Sequence, residues 1–271
     1  YVLKKTAYSR KSALLRQLKL LAHAFSKKGL AYEKPVHFPQ TPKIFLENTR
    51  ANKNTKLPDN FYTELAYWAQ ANLEKVIIDY AQYLHNVTKS KNLCIAGGVG
   101  LNSVANKKIL DQTLFENIFI QPASGDSGLP LGTALWAAHQ VKKLPRKWQM
   151  DNAYTGKEYS DAEILNALKG YKYEKLDNPF KTAAKLLAEE KIIGWFQNKS
   201  EYGPRALGNR SILCSPIPPG MKDKLNSQVK HRESFRPFAP ACLEKYASEY
   251  FELDCPSPFM LLVAKVKKDN I

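Results

Sequence analysis

Five cations on predicted loops are the residues of this sequence best suited to chemistry. They lie within residues 200–211 and 230–238, among glycines and hydroxyl side chains and not along a helical stripe. Guanidinium groups bind phosphate oxygens through paired hydrogen bonds, so the arrangement suits a phosphate or carboxylate ligand. A solvated surface, or internal ion pairs with Glu201 and Glu233, would explain the same pattern. The cations are Arg205, Arg210, Lys230, Arg232 and Arg236.

A glycine-rich turn is predicted at residues 97–102, Gly-Gly-Val-Gly-Leu-Asn, between a strand and a helix. Because Gly97 and Gly98 have no side chains, the backbone there can approach a ligand closely, and the helix N-terminus offers free N–H groups to an anion. The spacing differs from the G-x-G-x-x-G of dinucleotide-binding folds. A tight packing turn explains the pattern equally well.

Asp126 stands between Gly125 and Gly128 just before a predicted helix. Its carboxylate could bind a metal or cap the helix, and capping is the commoner use of an aspartate at such a position. None of the histidines has a metal-type partner three or four residues away, so a metal site would need further ligands. The histidines are His23, His37, His85, His139 and His231.

Composition indicates a globular protein, with 44% hydrophobic and 24% charged residues. The longest apolar runs fall far short of the roughly 18 residues that a membrane span needs, and the first residues do not resemble a signal peptide. We therefore expect a soluble cytoplasmic protein without a membrane partner. The cysteines form no C-x-x-C pair, which predicts buried free thiols in a reducing compartment. They are Cys94, Cys214, Cys242 and Cys255.

The positive charge is concentrated at the start of the chain. Residues 1–150 have 22 basic and 9 acidic side chains, and residues 1–50 alone have 11 against 2. A solvated cationic helix face is one interpretation, and binding to nucleic acid or another anionic surface is the other. Tyr202 is the only aromatic residue beside Arg205, so the stacking residues typical of nucleic-acid grooves do not accompany the cations.

The predicted elements place these residues at strand ends. Apolar spacing predicts a helix over residues 12–28, a proline-rich connection over 32–60, and a second helix over 61–84 that Asp59 or Asn60 caps. Two strand–loop–helix units follow, which argues for an α/β layer with ligand-facing loops. Their strands are predicted at 92–96 and 118–121 and their helices at 102–110 and 131–143.

We place a domain boundary near residue 150, where periodicity is lost, giving domains at 1–150 and 151–271. In the second half, a capping box from Ser160 to Glu163 and the pair Asn178–Pro179 each predict a helix start. A buried strand at 192–197, a strand at 211–214 and a helix at 221–230 follow.

Five segments occur in the order found in one family, and together they resemble the O-carbamoyltransferases of nodulation-factor and antibiotic biosynthesis. The resemblance is close from about residue 60 onwards and loose before it. Gly100 stands where the family usually has alanine. The five segments are residues 64–74, 92–102, 122–128, 201–211 and 235–240.

The resemblance implies an α/β and α+β architecture in two parts. Residues 1–150 would be the second lobe of a Kae1-like domain of the actin-like ATPase fold, and residues 151–271 the N-terminal part of a YrdC-like domain. The family's first lobe, with its histidine-rich metal motif, is not in this sequence, and neither is the end of the YrdC-like domain. We therefore expect a fragment that would be active in its complete form.

The resemblance also implies an activity: carbamoyl adenylate is made from carbamoyl phosphate and ATP, and the carbamoyl group passes to a hydroxyl of a small-molecule or saccharide acceptor. The five cations would then hold phosphates, with Ser211 donating a hydrogen bond. Gly97, Gly98 and Asn102 match the family's nucleotide-binding turn, and Asp126 matches its aspartate for a divalent metal, Fe, Mg or Mn. A homodimer is a further possibility.

Two alternative functions stay open from the sequence. A tRNA-modifying enzyme that uses threonylcarbamoyl adenylate would share both domain types and would use the basic first 50 residues. A non-catalytic basic module would bind nucleic acid with an affinity that falls steeply with salt. The order of the two lobes, together with the motif at residues 203–210, favours carbamoyl transfer over the tRNA-modifying enzyme.

Overall fold

The computed structural model of the chain describes residues 60–267, which form a mixed α/β structure with two small sheets. The predicted helix over 12–28, the basic residues 1–50 and nearly all of the proline-rich connection lie outside the described residues. Two compact units make up the described part. The first contains residues 60–91 and 108–116, and the second contains residues 92–107 and 117–267.

Helix α1 (Phe61–Thr88) confirms the predicted second helix and ends at Lys89 in a left-handed conformation, with a φ of 54°. The apolar residues whose spacing predicts this helix, Trp68 and Leu73 among them, are only half-buried. The deeply buried positions include two polar residues, which an apolar pattern cannot identify. The buried residues of α1 are Asn72, Glu74, Ile78 and Ala81.

Glu74 is buried in the first unit because its carboxylate has two partners. Gln70 donates to it at 2.8 Å, and Lys108, in the middle of helix α2 (Ser103–Gln112), forms an ion pair with it. A buried carboxylate is tolerated only when such partners replace its water. The buried Asn72 amide donates to the Trp68 carbonyl at 2.7 Å, while its side-chain oxygen has no hydrogen-bond partner among residues 60–267.

Replacing Glu74 with alanine should lower the free energy of unfolding by about 1–3 kcal/mol, because it leaves Lys108 without its buried partner. Asp79→Ala is the matched control, since Asp79 pairs with Lys75 across one helical turn at 3.3 Å nearer the solvent. That loss should stay below about 1 kcal/mol. Urea unfolding of both variants measures the difference, and equal losses would contradict the prediction.

The second unit begins with a parallel pair of strands, β1 (Asn92–Ile95) and β2 (Asn117–Ile120), in register from the first residue of each to the last. Helix α2 follows β1, and helix α3 (Leu129–Trp136) follows β2 and continues as a π-helix, Ala137–Val141. The two predicted strand–loop–helix units are therefore confirmed, with boundaries shifted by at most two residues when the π-helix is counted with α3.

Two predicted helix caps in the second unit are confirmed. Helix α4 (Asp161–Ala167) starts with a full capping box, in which Ser160 and Glu163 each accept a backbone hydrogen bond from the other. Hydrogen bonds from Lys157 and from Ser160 lower the pKa of Glu163 to about 2, so the cap is intact at neutral pH. Helix α5 (Pro179–Ala188) is capped by Asn178, as predicted.

An antiparallel pair, β3 (Ile193–Phe196) and β4 (Arg210–Leu213), forms the second sheet. The expectation of a buried strand here is wrong, because β3 alternates between half-buried and exposed residues and Phe196 is 55% exposed.

Two short helices follow, α6 (Met221–Lys224), which continues as a π-helix to Lys230, and α7 (Ala247–Tyr250). The unit crosses residue 150, and the domain boundary there stays a prediction.

None of the four cysteines forms a disulfide, as expected, but none of them is buried. Cys94 points to the exposed face of β1 and Cys242 is exposed, while Cys214 and Cys255 are half-buried. Partial burial raises the pKa of Cys214. Among the described helices, none is both long enough and apolar enough to cross a lipid bilayer.

Candidate functional site

The glycine turn after β1 is exposed to solvent at its first residues and is hydrogen-bonded to the loop after β2. Gly97 has a φ of 105°, which favours glycine, and its N–H donates to the Ser124 carbonyl at 2.7 Å. The chain then forms a 3-10 helix, Gly98–Leu101. The N–H groups of Gly98 and Val99 begin this helix and therefore have no acceptor within it. Gly97 and Gly98 are both exposed, so the turn can present backbone donors to solvent.

Asn102 and Asn106 hold the turn to the start of α2. The Asn102 side chain accepts the Ala105 N–H at 3.1 Å, so it acts as a helix cap, and its predicted nucleotide role stays a prediction. The buried Asn106 amide donates to the carbonyls of Gly100 and Leu261, at 2.8 and 3.0 Å. Sequence analysis missed Asn106, although a polar residue on an otherwise apolar helix face is the signal that could have found it.

Gly100 lies where a side chain would be crowded. A β-carbon there would lie 3.1 Å from both the Ile95 side chain and the Ser124 hydroxyl. Ser124 is only 5% exposed, and its hydroxyl has no hydrogen-bond partner in the part of the chain that the structure describes. The turn and the loop after β2 are therefore packed closely together.

Asp126 begins a 3-10 helix, Asp126–Gly128, with its carboxylate exposed. The alternative that it caps α3 is wrong, because the residue before α3 is Gly128 and no side chain caps that helix. Across residues 60–267, no cluster of three or more His, Cys, Asp or Glu side chains could hold a metal ion. Asp126 is thus a lone, accessible carboxylate, and its metal role stays a prediction.

The loop at residues 201–210 packs against the loop after β2. The Tyr202 hydroxyl donates to the Ser127 carbonyl at 2.5 Å. Gly203 has a φ of 123°, and a β-carbon there would lie 2.8 Å from the Pro122 carbonyl oxygen. Only glycine allows this approach without displacing the backbone. The two loops therefore meet beside Asp126.

Arg205 brings the same loop to the glycine turn. Its guanidinium donates to the Leu101 carbonyl at 3.4 Å, while its Nε is buried with no hydrogen-bond partner among residues 60–267. The structure therefore joins segments 97–102, 122–128 and 201–210, which were separate motifs in the sequence. Arg205 is the member of the predicted cation cluster that lies at their junction.

Arg210 lies at the start of β4, and its side chain contacts the end of β3. Its guanidinium lies 3.5 Å from the centre of the Phe196 ring and donates to three backbone carbonyls. Ser211 beside it accepts the Gly208 N–H at 2.9 Å. The phosphate roles of both residues stay predictions. The three acceptors are the carbonyl oxygens of Gln197, Asn209 and Asn198, at 2.5, 2.8 and 3.0 Å.

Glu201 does not form the ion pair that one interpretation of the sequence offered. One of its carboxylate oxygens accepts three backbone N–H groups. Burial raises the pKa of this carboxyl, but the backbone hydrogen bonds lower it by more, so its pKa lies below the ordinary value. The donors are Leu207 and Asn209 at 2.8 Å and Arg210 at 3.2 Å.

Two of the cations near residue 230, Arg232 and Arg236, contact Asn226, which is only 1% exposed. The Arg232 guanidinium donates to the Asn226 side-chain oxygen at 2.7 Å and lies 4.6 Å from the centre of the Phe238 ring. The Asn226 amide donates to the Arg236 carbonyl at 3.0 Å. Asn226 therefore organises the loop that presents two of the predicted cations.

The remaining contacts of this group lie at the surface. Arg236 forms an ion pair with Glu233 at 3.6 Å, which confirms the second of the two ion pairs considered from the sequence. Lys230 is exposed. The predicted cations therefore have different protein partners: Arg205 bonds to the glycine turn, Arg210 to the β3–β4 hairpin, and Arg232 and Arg236 to residues of their own segment.

Two family models match the chain, the N-terminal model before the C-terminal model. The model described as carbamoyltransferase N-terminus matches residues 12–135, and the model described as carbamoyltransferase C-terminus matches residues 184–271. The first match contains the glycine turn and Asp126, and the second contains the arginine loop. The contacts described above therefore join residues from both matched regions.

Curated relatives cover most of this chain. An uncharacterised protein of Synechocystis is 42% identical over 216 residues, which is 76% of this chain and 35% of the relative. Nodulation protein NolO of Bradyrhizobium diazoefficiens is 36% identical over 241 residues, 86% of this chain and 44% of the relative. Nodulation protein NolNO of Sinorhizobium fredii is 37% identical over 217 residues, which is 77% of this chain and 32% of the relative. The chain thus spans less than half the length of these relatives.

Proposed function

Because the chain belongs to the carbamoyltransferase family of enzymes, as its motifs predicted, we propose that it contributes to an ATP-dependent O-carbamoyltransferase. In this reaction carbamoyl phosphate loses its phosphate to water and becomes carbamate. The carbamate oxygen attacks the α-phosphorus of ATP, pyrophosphate leaves, and carbamoyl adenylate forms. The hydroxyl of a small-molecule or saccharide acceptor then attacks the carbamoyl carbon, and AMP leaves.

The observation that supports this proposal is the junction of three motif segments in one unit. Ser124 accepts from Gly97, Ser127 accepts from Tyr202, and Leu101 accepts from Arg205, at 2.7, 2.5 and 3.4 Å. An exposed glycine turn and an arginine at one junction are the groups that a polyanion needs, namely backbone N–H donors and a fixed positive charge.

The chemistry gives these groups a task. ATP, carbamoyl phosphate and pyrophosphate are all polyanions, and charge increases on the leaving pyrophosphate as the adenylate forms. A guanidinium fixed beside the nucleotide would stabilise that charge without having to reorganise. We assign this task to Arg205 and the nucleotide-binding turn to Gly97 and Gly98. Lys230, Arg232 and Arg236 form a second phosphate-binding group under the same proposal.

A divalent metal is part of the proposal only through Asp126. An exposed carboxylate suits Fe, Mg or Mn as one ligand, but one ligand does not make a site. Since no further ligand cluster occurs in residues 60–267, we derive no step that uses a metal.

We also propose the finer fold assignment, a Kae1-like second lobe followed by the first part of a YrdC-like domain. The parallel β1–β2 pair, with a glycine turn between β1 and α2, supports the first part. The antiparallel β3–β4 hairpin with its arginine loop is the element we assign to the second part.

The experiment is ATP–pyrophosphate exchange, measured with and without carbamoyl phosphate on this chain and on the complete product of the gene that encodes it. We expect exchange that requires carbamoyl phosphate in the complete product and that disappears in Arg205→Ala. No exchange in the complete product would overturn the proposal. Binding to tRNA between about 50 and 200 mM salt would then test the tRNA-modifying and basic-module alternatives.

A further inference from the structure

Glu201 closes the loop that contains Arg205. One of its carboxylate oxygens accepts backbone N–H groups from Leu207, Asn209 and Arg210, six to nine residues further along the chain. Arg205 lies within the segment that these bonds close. A carboxylate that accepts several backbone N–H groups is a strong local constraint, since bonds to a charged acceptor are about twice as strong as neutral ones.

We propose that Glu201 is a positioning residue that fixes Arg205 at the glycine turn, an inference that rests on the proposed function for the role of Arg205. The loop is held on two sides. Glu201 holds the end of the loop, residues 207–210, while Tyr202 and Gly203 hold its beginning against the segment after β2. Arg205 lies between these attachments, with its guanidinium at the Leu101 carbonyl.

The Glu201 carboxylate accepts hydrogen bonds from the backbone and does not pair with an arginine. The charged side chains on its own loop are Arg205 and Arg210, whose donors face the Leu101 carbonyl and the carbonyls of the β3–β4 hairpin. Neither forms an ion pair with Glu201. The carboxylate can therefore order the loop without neutralising the guanidinium that is assigned to the anion.

The test uses the 271-residue chain with three substitutions of glutamate. Glu201→Ala removes the acceptor, and Glu201→Gln keeps an oxygen but removes its charge. Glu189→Gln is the matched control, since Glu189 makes only a surface pair with Lys185 at 3.9 Å. Two quantities are measured, hydrogen exchange of the backbone amides of residues 207–210 and the dissociation constant of inorganic pyrophosphate.

Glu201→Ala should speed exchange of the Leu207 and Asn209 amides by about tenfold or more and weaken pyrophosphate binding by about tenfold. Glu201→Gln should recover part of both effects, and Glu189→Gln should change neither. Arg205→Ala should weaken binding while the loop amides stay protected. Protection that is unchanged in Glu201→Ala would overturn the inference.

A pH titration adds a readout that loss of packing alone would not produce. The amide protons of Leu207, Asn209 and Arg210 should shift together in NMR spectra, with one midpoint below the ordinary pKa of glutamate, because all three bind one carboxylate whose pKa is lowered. In Glu201→Gln that common transition should vanish. Three independent midpoints would contradict a shared carboxylate.

The two proposals fail in different ways. If the unaltered chain does not bind pyrophosphate but Glu201→Ala still loses amide protection, the assignment of Arg205 to a phosphate is overturned while the ordering role of Glu201 is supported. If pyrophosphate binds and requires Arg205 but Glu201→Ala binds it normally, the positioning role is overturned and the proposed function stands.

Discussion

Replacing Arg205 with alanine should weaken binding of carbamoyl phosphate or ATP by about 1.5–3 kcal/mol, or roughly 10- to 150-fold. The loss should be in binding and not in folding. Among residues 60–267 its guanidinium makes one hydrogen bond, at 3.4 Å to the Leu101 carbonyl, so little protein hydrogen bonding is lost with it. The fixed positive charge at the glycine turn is what the substitution removes.

Arg210→Ala is the informative comparison, because the sequence assigns both arginines the same role. The Arg210 guanidinium donates to three carbonyls and lies on the Phe196 ring, so its loss should lower the free energy of unfolding by about 2 kcal/mol. Its effect on phosphate binding should be smaller than that of Arg205. The structure therefore predicts opposite dominant effects for two residues of one motif.

Calorimetric titration with carbamoyl phosphate and with ATP, together with urea unfolding, measures both effects. Arg146→Ala is the control, since Arg146 is an exposed cation outside every site described above. It should leave binding and stability unchanged. Wild-type affinity in Arg205→Ala would remove Arg205 from the phosphate site, and lost affinity with full stability in Arg210→Ala would reverse the assignment of the two arginines.

The sequence predicts features that depend on neighbouring residues. The capping box of Ser160 and Glu163 and the cap at Asn178 involve contacts three residues apart, and the structure contains both. The strand–loop–helix order was also predictable, because hydrophobic periodicity and glycine positions mark such elements locally.

The partners of charged side chains could not be predicted in the same way. From the sequence, Glu201 was a candidate partner for an arginine. In the structure its carboxylate accepts hydrogen bonds from backbone N–H groups that only the folded loop brings together. Glu74 lies on a helix that apolar spacing predicted, but it is buried because Lys108, on another helix, forms an ion pair with it. Residue type and spacing do not determine such long-range partners.

The same limit applies to Asn226, which no motif identified and for which we expect a large effect on stability. Asn226→Ala should lower the free energy of unfolding by about 2–4 kcal/mol, because it leaves buried polar groups without partners. The lost bonds run from the Arg232 Nε at 2.7 Å and to the carbonyls of Arg236 and Ser234 at 3.0 and 3.3 Å. Urea unfolding measures the change.

Gln228→Ala, an exposed substitution in the same π-helix, is the control and should change stability by less than about 0.5 kcal/mol. Because Asn226 holds Arg232 directly, the variants Asn226→Ala and Arg232→Ala should be non-additive in a double-mutant cycle, with a coupling of about 1 kcal/mol or more. Additive losses would mean that Asn226 stabilises the helix alone. Coupled losses would show that the buried Asn226 side chain sets the geometry of Arg232, one of the five predicted cations.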